Sequence, residues 1–237
     1  DKIVETCTEI DKEAEKARKN LNIAQEKIEN LFAEAFSKAN TSYRISDTEI
    51  FDISIGKRVL KTEINNEGIG IPVYSANVFE PFGNINKELI EDFNLPSVIW
   101  GIDGDWMVNY IPADSPFYPT DHCGVLRIKN DLIHPKYMVW ALHKEGERVR
   151  FSRTNRASMD SMRSLTIKAP SKEIQKKLIG EVERIEGQIK KSQKILDGIP
   201  NQKEEVIKSY LTGKSLKKEE LKIAAEPEVD YNKKKKY

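Results

Sequence analysis

Cysteine is nearly absent from this 237-residue chain: only Cys7 and Cys123 occur, and neither sits in a Cys-x-x-Cys spacing. That excludes a disulfide framework and argues against a structural zinc site. Asp121, His122 and Cys123 are consecutive, but three neighbours in a row rarely converge on one ion. A partly buried His-Cys pair is the ordinary reading, and no metal is expected. Long apolar runs are missing too. No stretch reaches the roughly 18 residues that a spanning helix needs, so no membrane segment is expected. No secretory leader is visible, and a reducing cytoplasm fits.

Enzyme signatures are also lacking. There is no GxxxxGK(S/T) phosphate loop, no GxSxG nucleophile elbow, no HExxH zinc helix and no Asp/Asn-Pro-Pro-aromatic methyltransferase box. The one glycine cluster, GIGIP (68–72), lacks the GxGxxG spacing and opens no helix. His122, His134 and His143 have no evident nucleophile beside them. Asp103 and Asp105 form a carboxylate pair near a hairpin tip, read as a turn with two solvated acids rather than a metal site. The expectation is a non-catalytic chain with no cofactor.

Charge of one sign is not in excess either, since 39 basic and 38 acidic residues leave a net +1. A uniformly basic DNA-binding domain is therefore excluded, but a local basic patch is not. One such run exists: Arg148, Arg150, Arg153, Arg156, Arg163 and Lys168 face only Asp160 between 148 and 168. Hydrophobic residues make up 38% and charged residues 32%. This balance places much of the chain in solvated helices rather than in a core.

No proline and no glycine occur between Asp1 and Ala39. Within that segment Ile3, Cys7, Ile10, Ala14, Ala17, Leu21, Ala24, Ile28, Leu31 and Ala35 recur at steps of four and three. This is a heptad seam on a helix roughly 50 Å long, which needs a partner. Moving each position by 175 lands on Leu178, Val182, Ile185, Ile189, Ser192, Leu196, Ile199, Lys203, Val206 and Tyr210, eight of them apolar or aromatic. The two segments read as an internal repeat, 1–39 and 171–213. Ile10, Leu21, Ile28, Leu31, Ile185, Ile189, Leu196 and Val206 are the seam positions assigned to pairing as an antiparallel coiled coil. In the second copy Gly198 and Pro200 predict a kink near 198–200 or a restart with Asn201 as a fresh cap. Ser171 is the expected cap at its start and Gly213 its stop.

Between these helices, residues 40–170 lose the helical period. Short Val-, Ile-, Tyr- and Phe-rich runs alternate with Gly, Pro, Asn and Asp. Strands are expected at 50–56, 69–76, 97–102, 106–111, 124–129 and 165–169, with Asp103-Gly104 as a hairpin signal and one helix near 135–144. The class is α+β: a mostly-β globule flanked by two long helices. Residues 214–237, ending in DYNKKKKY, carry too little apolar content to pack and are expected to be disordered.

Loops of this globule carry the candidate DNA contacts. Arg153, Asn155, Arg156 and Ser158 lie in the basic run, Ser75 and Asn77 in YSANVFEPFGN (74–84), and Lys57 and Arg58 at a strand end. Arginine forks pair with guanine edges and phosphates, asparagine with adenine, and hydroxyls with phosphate. The same loops also suit a coiled-coil scaffold displaying a β-rich domain to a protein or a glycan.

Several stretches in order resemble the specificity subunits of type I restriction-modification systems. FDISIGKR (51–58) with GIPVYSAN (70–77) resembles the opening of a target recognition domain, and SVIWGIDGDWMVNYI (97–111) with PTDHCGVLRIK (119–129) its middle. ASMDSMRSLTIKAPSKEIQKKLIGEVERI (157–185) resembles its exit, with Pro170 and Gln175 at matching positions. The resemblance implies double-stranded DNA as ligand, with the target recognition domain reading one half-site. It also implies helices that act as a ruler and dock methyltransferase subunits, with the restriction subunit as a further partner. A full subunit of that family has two recognition domains. This chain is therefore expected to be the C-terminal half of a longer subunit, a half-subunit that dimerises head to tail or pairs with a second recognition domain, or the specificity end of a single-chain enzyme.

Overall fold

The computed structural model describes residues 2–65, 67–90 and 92–212. The expected stop at Gly213 and the expected disordered tail lie outside them. The chain separates into two compact units, one made of the residues up to Ile28 and from Glu183 onward, the other of Glu29–Val182.

Two long helices begin and end the described chain. Helix α1 (Lys2–Ser37) keeps its heptad stripe away from water. Ile10, Ala14, Ala17, Ala24 and Ala35 are buried, and Ile3, Cys7, Leu21, Ile28 and Leu31 are half-buried. The other long helix is the last element among the described residues, Lys172–Thr212, numbered α4 below. It buries Leu178, Val182, Ile185, Ser192 and Val206 and half-buries Ile189, Leu196, Ile199 and Lys203. Tyr210 is 69% exposed, so the stripe does not extend to it. Within the first unit, Lys203 Nζ forms an ion pair with Asp11 Oδ1. The restart expected at Asn201 does not occur: Pro200 lies inside the helix, with helical residues on both sides. Proline removes one backbone donor, and the helix of 41 residues continues past that single loss. The helix begins directly after Ser171, whose carbonyl accepts the first helical bond, from Gln175 N at 3.0 Å.

The second unit holds the globule. Its strands are β1 (Thr41–Arg44), β2 (Phe51–Ile55), β3 (Ile71–Tyr74), β4 (Asn84–Ile85), β5 (Ser97–Gly101), β6 (Val108–Ile111), β7 (Tyr118–Pro119), β8 (Cys123–Ile128) and β9 (Thr166–Ala169). The main sheet has the order β2-β8-β5-β6, with every neighbouring pair antiparallel. The middle strand β5 is buried at all five positions, which is why SVIWG reads as an unbroken apolar run rather than an alternation. Trp100 of this strand faces Gly124 across the ladder. A Cβ at Gly124 would lie 2.1 Å from the indole ring, so no larger residue fits there. A small sheet, β4-β3-β7, lies beside it, and β1 pairs with β9. That last pair joins the entrance and exit of the globule, Thr41 opposite Ala169.

Helix α2 (Pro135–Val149) packs on β5, β6 and β9. It starts with His134, whose ring accepts from Lys136 N, followed by proline at the first helical turn. It runs a turn further than the sequence suggests because Gly146 lets it pass under Trp106. It ends at Arg150 in the left-handed conformation, φ 61°. A short helix that the sequence reading did not separate, α3 (Met159–Arg163), is capped by Ser158. The last turns of α1 belong to this unit as well. Phe32 stacks on Trp140 at 5.5 Å between ring centroids. Trp140 Nε1 and Lys144 Nζ both reach Glu29, at 3.0 and 2.8 Å. Burial opposes the charge on Glu29, but these bonds outweigh it and hold its carboxyl below the usual value. Gln175 of α4 is 3% exposed. Its Oε1 accepts from His134 N at 2.7 Å. Its Nε2 donates to Leu132 O at 3.0 Å and Pro170 O at 2.9 Å.

Candidate nucleic-acid interface

One end of the main sheet gathers the loops in which the candidate contacts lie. β2 runs out into Gly56, Lys57 and Arg58, and Lys57 N donates to Pro119 O at 3.2 Å. A Cβ at Gly56 would sit 2.0 Å from that same carbonyl, so the two segments touch backbone to backbone. β3 runs out into Ser75, Ala76 and Asn77. There Thr120 N donates to Tyr74 O at 2.9 Å, and Thr120 Oγ1 donates to Ser75 Oγ at 3.0 Å. β5 runs out into the Asp103-Gly104 turn, with Ile102 N on His122 O at 3.0 Å and Gly104 at φ 92°. Finally, Ala157 N donates to Ile102 O at 3.2 Å, which ties the arginine-rich loop to the same place. Residues from 56–58, 75–77, 102–105, 119–122 and 152–158 thus form one continuous surface. A cleft of about 400 Å³, lined by Ser75, Ala76, Asn77, Glu80, Pro81 and Phe82, adjoins it. Phe79 and Phe82 stand exposed there.

The eight candidates divide by what their side chains already do. Lys57, Arg58 and Arg153 are exposed. Asn77 accepts from the backbone N–H groups of Phe79 and Glu80 at 3.0 and 3.4 Å, the bonding of an Asx turn. Asn155 donates its amide to Val149 O at 2.9 Å and Arg150 O at 3.3 Å, satisfying carbonyls at the end of α2. Ser158 accepts from Ser161 N at 3.3 Å as the cap of α3. Ser75 is bonded to Thr120. These four polar side chains hold the loops in shape. Arg156 is different again, because its Nε pairs with Asp103 Oδ1 while its side chain stays 57% exposed.

Asp103 is the residue whose part the sequence understated. It is not a solvated turn acid: its second oxygen accepts from His122 Nδ1, and its side chain is only 29% exposed. Burial works against its charge, but the hydrogen bonds from His122 and Arg156, with the charge of the latter, hold its carboxyl below the usual value. The Asp-Gly turn signal located this residue but not its partners, which come from 19 and 53 positions away. Nor are His122 and Cys123 a pair. His122 faces Asp103 on the surface, whereas Cys123 is fully buried and its thiol is pushed up to about 12 by desolvation. The basic run is also less positive than its linear text, since Arg148 and Arg156 pair with Glu145 and Asp103 from outside it. Among the described residues no group of three His, Cys, Asp or Glu side chains is arranged to hold a metal, and no helix is long and apolar enough to cross a membrane.

The architecture matches solved S subunits. The S subunit of a type I restriction-modification system from M. genitalium superposes with a TM-score of 0.65 at 17% identity, over 87% of this chain and 59% of that one. The HsdS subunit from Thermoanaerobacter tengcongensis gives 0.52 at 14% identity, over 90% and 58%. At such identities the likeness is one of fold. The family described as the type I restriction modification DNA specificity domain matches residues 42–201, and the chain belongs to that family. A Mycoplasma pneumoniae protein named as the N-terminus of a type I specificity subunit is 34% identical over 103 residues, 43% of this chain and 52% of the relative. The chain thus spans about half the length of the curated relative it matches.

Proposed function

We propose that this chain is the DNA-reading component of a restriction-modification complex and does no chemistry itself. Its target recognition domain reads one half-site. The stripes of α1 and α4 pair as an antiparallel coiled coil that sets half-site spacing and docks methyltransferase subunits. The observation that carries this reading is the loop cluster at one end of the main sheet, where Lys57, Arg58 and Arg153 stand exposed on segments fixed by backbone hydrogen bonds. Fixed loops with outward cations suit a polyanion, and the base edges between the phosphates supply the sequence information. The ion pair between Asp11 and Lys203, near the far ends of both helices, fits the antiparallel pairing.

The test is selection from a pool of random duplexes across a salt series, with and without the cognate methyltransferase subunit. Enrichment of a short motif is expected. If the three exposed cations each touch one phosphate, affinity falls about 40-fold between 50 and 200 mM salt. Lys57→Ala then flattens the slope of log K against log salt by ~0.9 without altering the motif. Absence of DNA binding in both arms would refute the reading and promote a scaffold for a protein or glycan.

A further inference from the structure

The positive side chains of the loop cluster are not equivalent, and the difference points to separate tasks. Lys57, Arg58 and Arg153 are exposed, and among the described residues no ion pair with a carboxylate involves them. Arg156 is held. Asp103 Oδ1 takes its Nε, and Asp103 Oδ2 is itself occupied by His122 Nδ1, so the carboxylate has no oxygen left over and cannot swing away without breaking a second bond. The backbone around Arg156 is pinned on both sides. Ala157 N donates to Ile102 O at 3.2 Å, Ser152 N donates to Asn155 O at 2.9 Å, and the Asn155 amide caps Val149 O at 2.9 Å. The turn that carries Asp103 is set by Gly104 at φ 92°, a conformation a side chain would oppose.

A guanidinium held through Nε keeps one edge free, the two terminal nitrogens, and presents that edge as a fixed fork. Such a fork matches O6 and N7 of guanine in the major groove. The same fork also matches a phosphate, but the neighbouring carboxylate repels a phosphate's full negative charge more strongly than the partial charges on a neutral base edge. The carboxylate therefore biases Arg156 towards a base and away from the backbone.

Resting on the reading of the chain as a DNA reader, we propose that Arg156 is a specificity-determining residue that contacts a guanine, and that Asp103, itself secured by His122, is its positioning residue. Lys57, Arg58 and Arg153 contact phosphates. The recognised motif then contains a G·C pair whose selection depends on the Asp103–Arg156 pair, and the loss of either partner is felt at that position alone.

The test uses the full chain in the random-duplex selection, in whichever arm the unaltered protein enriches a motif, with Asp103→Asn, Arg156→Lys and Lys57→Ala in parallel. Arg156→Lys keeps the charge but loses the fork. Asp103→Asn keeps the shape but loses the carboxylate. Both are expected to relax one G·C position about tenfold or more and to leave the other positions intact. Arg156→Lys should keep the salt slope, whereas Lys57→Ala should flatten it and keep the motif. Retention of every motif position in Arg156→Lys would overturn the assignment of Arg156. Loss of melting temperature alone in Asp103→Asn, with selection unchanged, would reduce Asp103 to a structural ion pair and overturn its positioning role. Arg156→Lys alters an exposed tip and decides the matter even where Asp103→Asn does not fold. If the unaltered chain enriches no motif in either arm, the DNA-reading function itself fails, and this assignment with it.

Discussion

Gln175→Met tests how the long helix is secured to the globule it leaves. The glutamine is 3% exposed and makes three hydrogen bonds, to the start of α2 through His134 N and to the backbone carbonyls of Leu132 and Pro170. Methionine fills nearly the same volume but can replace none of them. One donor and two acceptors are then left without partners. Each buried group left unpaired costs about 1–3 kcal/mol, and the lower figure suits those that water can still reach. The Pro170 bond is buried, whereas the His134 and Leu132 bonds are part-buried. The total comes to about 3–5 kcal/mol, or roughly 6–20 °C in melting temperature for a unit of this size. Urea unfolding followed by tryptophan fluorescence reads the right unit, because the three tryptophans, Trp100, Trp106 and Trp140, all lie between Glu29 and Val182. Lys176→Met is the control, since that side chain is exposed, lies next to Gln175 on the same helix and belongs to the same unit. A loss below ~1 kcal/mol for Gln175→Met, no larger than the control, would refute the reasoning. Gln175→Glu sharpens it. The new carboxyl keeps an acceptor for His134 N but turns an oxygen towards two carbonyls in a buried place, which raises its folded pKa. An acid with a raised folded pKa destabilises most at high pH, so this variant should regain stability as pH falls towards ~4.

Three further outcomes follow from the packing. Gly146→Ala puts a Cβ 2.1 Å from the Trp106 ring, which is anchored by its bond to His143 O at 2.9 Å, and should cost about 1–3 kcal/mol in the same urea assay. Gly180→Ala, on an exposed helix face with nothing within 4 Å, should stabilise by up to ~1 kcal/mol, and equal effects at the two sites would contradict the packing account. Cys123, fully buried and pushed up to about 12, should resist maleimide at pH 8 until the protein unfolds, so mass spectrometry should find it unlabelled in the native chain and labelled in urea. The Asp103 contribution has a defined sign. Its folded pKa lies below the 3.8 of a free side chain, so the stabilisation is present above that value and is lost as pH falls through the folded one. NMR of the His122 ring should show its environment changing in that acid range, and an unchanged signal would argue against the pair.

Periodicity made much of the scaffold legible. The ten α1 positions in strict register, with no proline or glycine among them, are all buried or half-buried. The strands that sequence found are those with four or more apolar or β-branched residues between turn signals. β4 and β7, of two residues each, carry no period at all, and β1, TSYR, is defined by its partner β9 rather than by its own pattern. The restart at Asn201 failed as an expectation for a related reason. A proline inside a helix costs about 3 kcal/mol or more, and a helix of 41 residues carries Pro200 without ending there.

The sequence picked out loops that the fold gathers, but not what each side chain does there. Charge and turn composition led to 56–58, 75–77 and 152–158, and the fold does bring these loops to one end of the sheet. What composition could not distinguish is a polar side chain free to meet a ligand from one already bonded within its own loop. Asn77, Asn155 and Ser158 have the side chains a base reader needs, yet each is spent on a neighbouring backbone group within six residues. Short-range bonds of this kind are what asparagine and serine favour in any turn, so their presence in a loop is weak evidence of contact with DNA. Arginine has no comparable local use, because its long side chain and five donors are poorly matched to the carbonyls of its own turn. The partner it finds across the fold is therefore the more informative observation. Arg148 pairs three residues away on its own helix face, as a surface arginine does, whereas Arg156 reaches a carboxylate 53 residues away that a second side chain holds in place. No pattern within a single loop could have announced that arrangement, since its three members lie on three different connections and meet only when the sheet has formed.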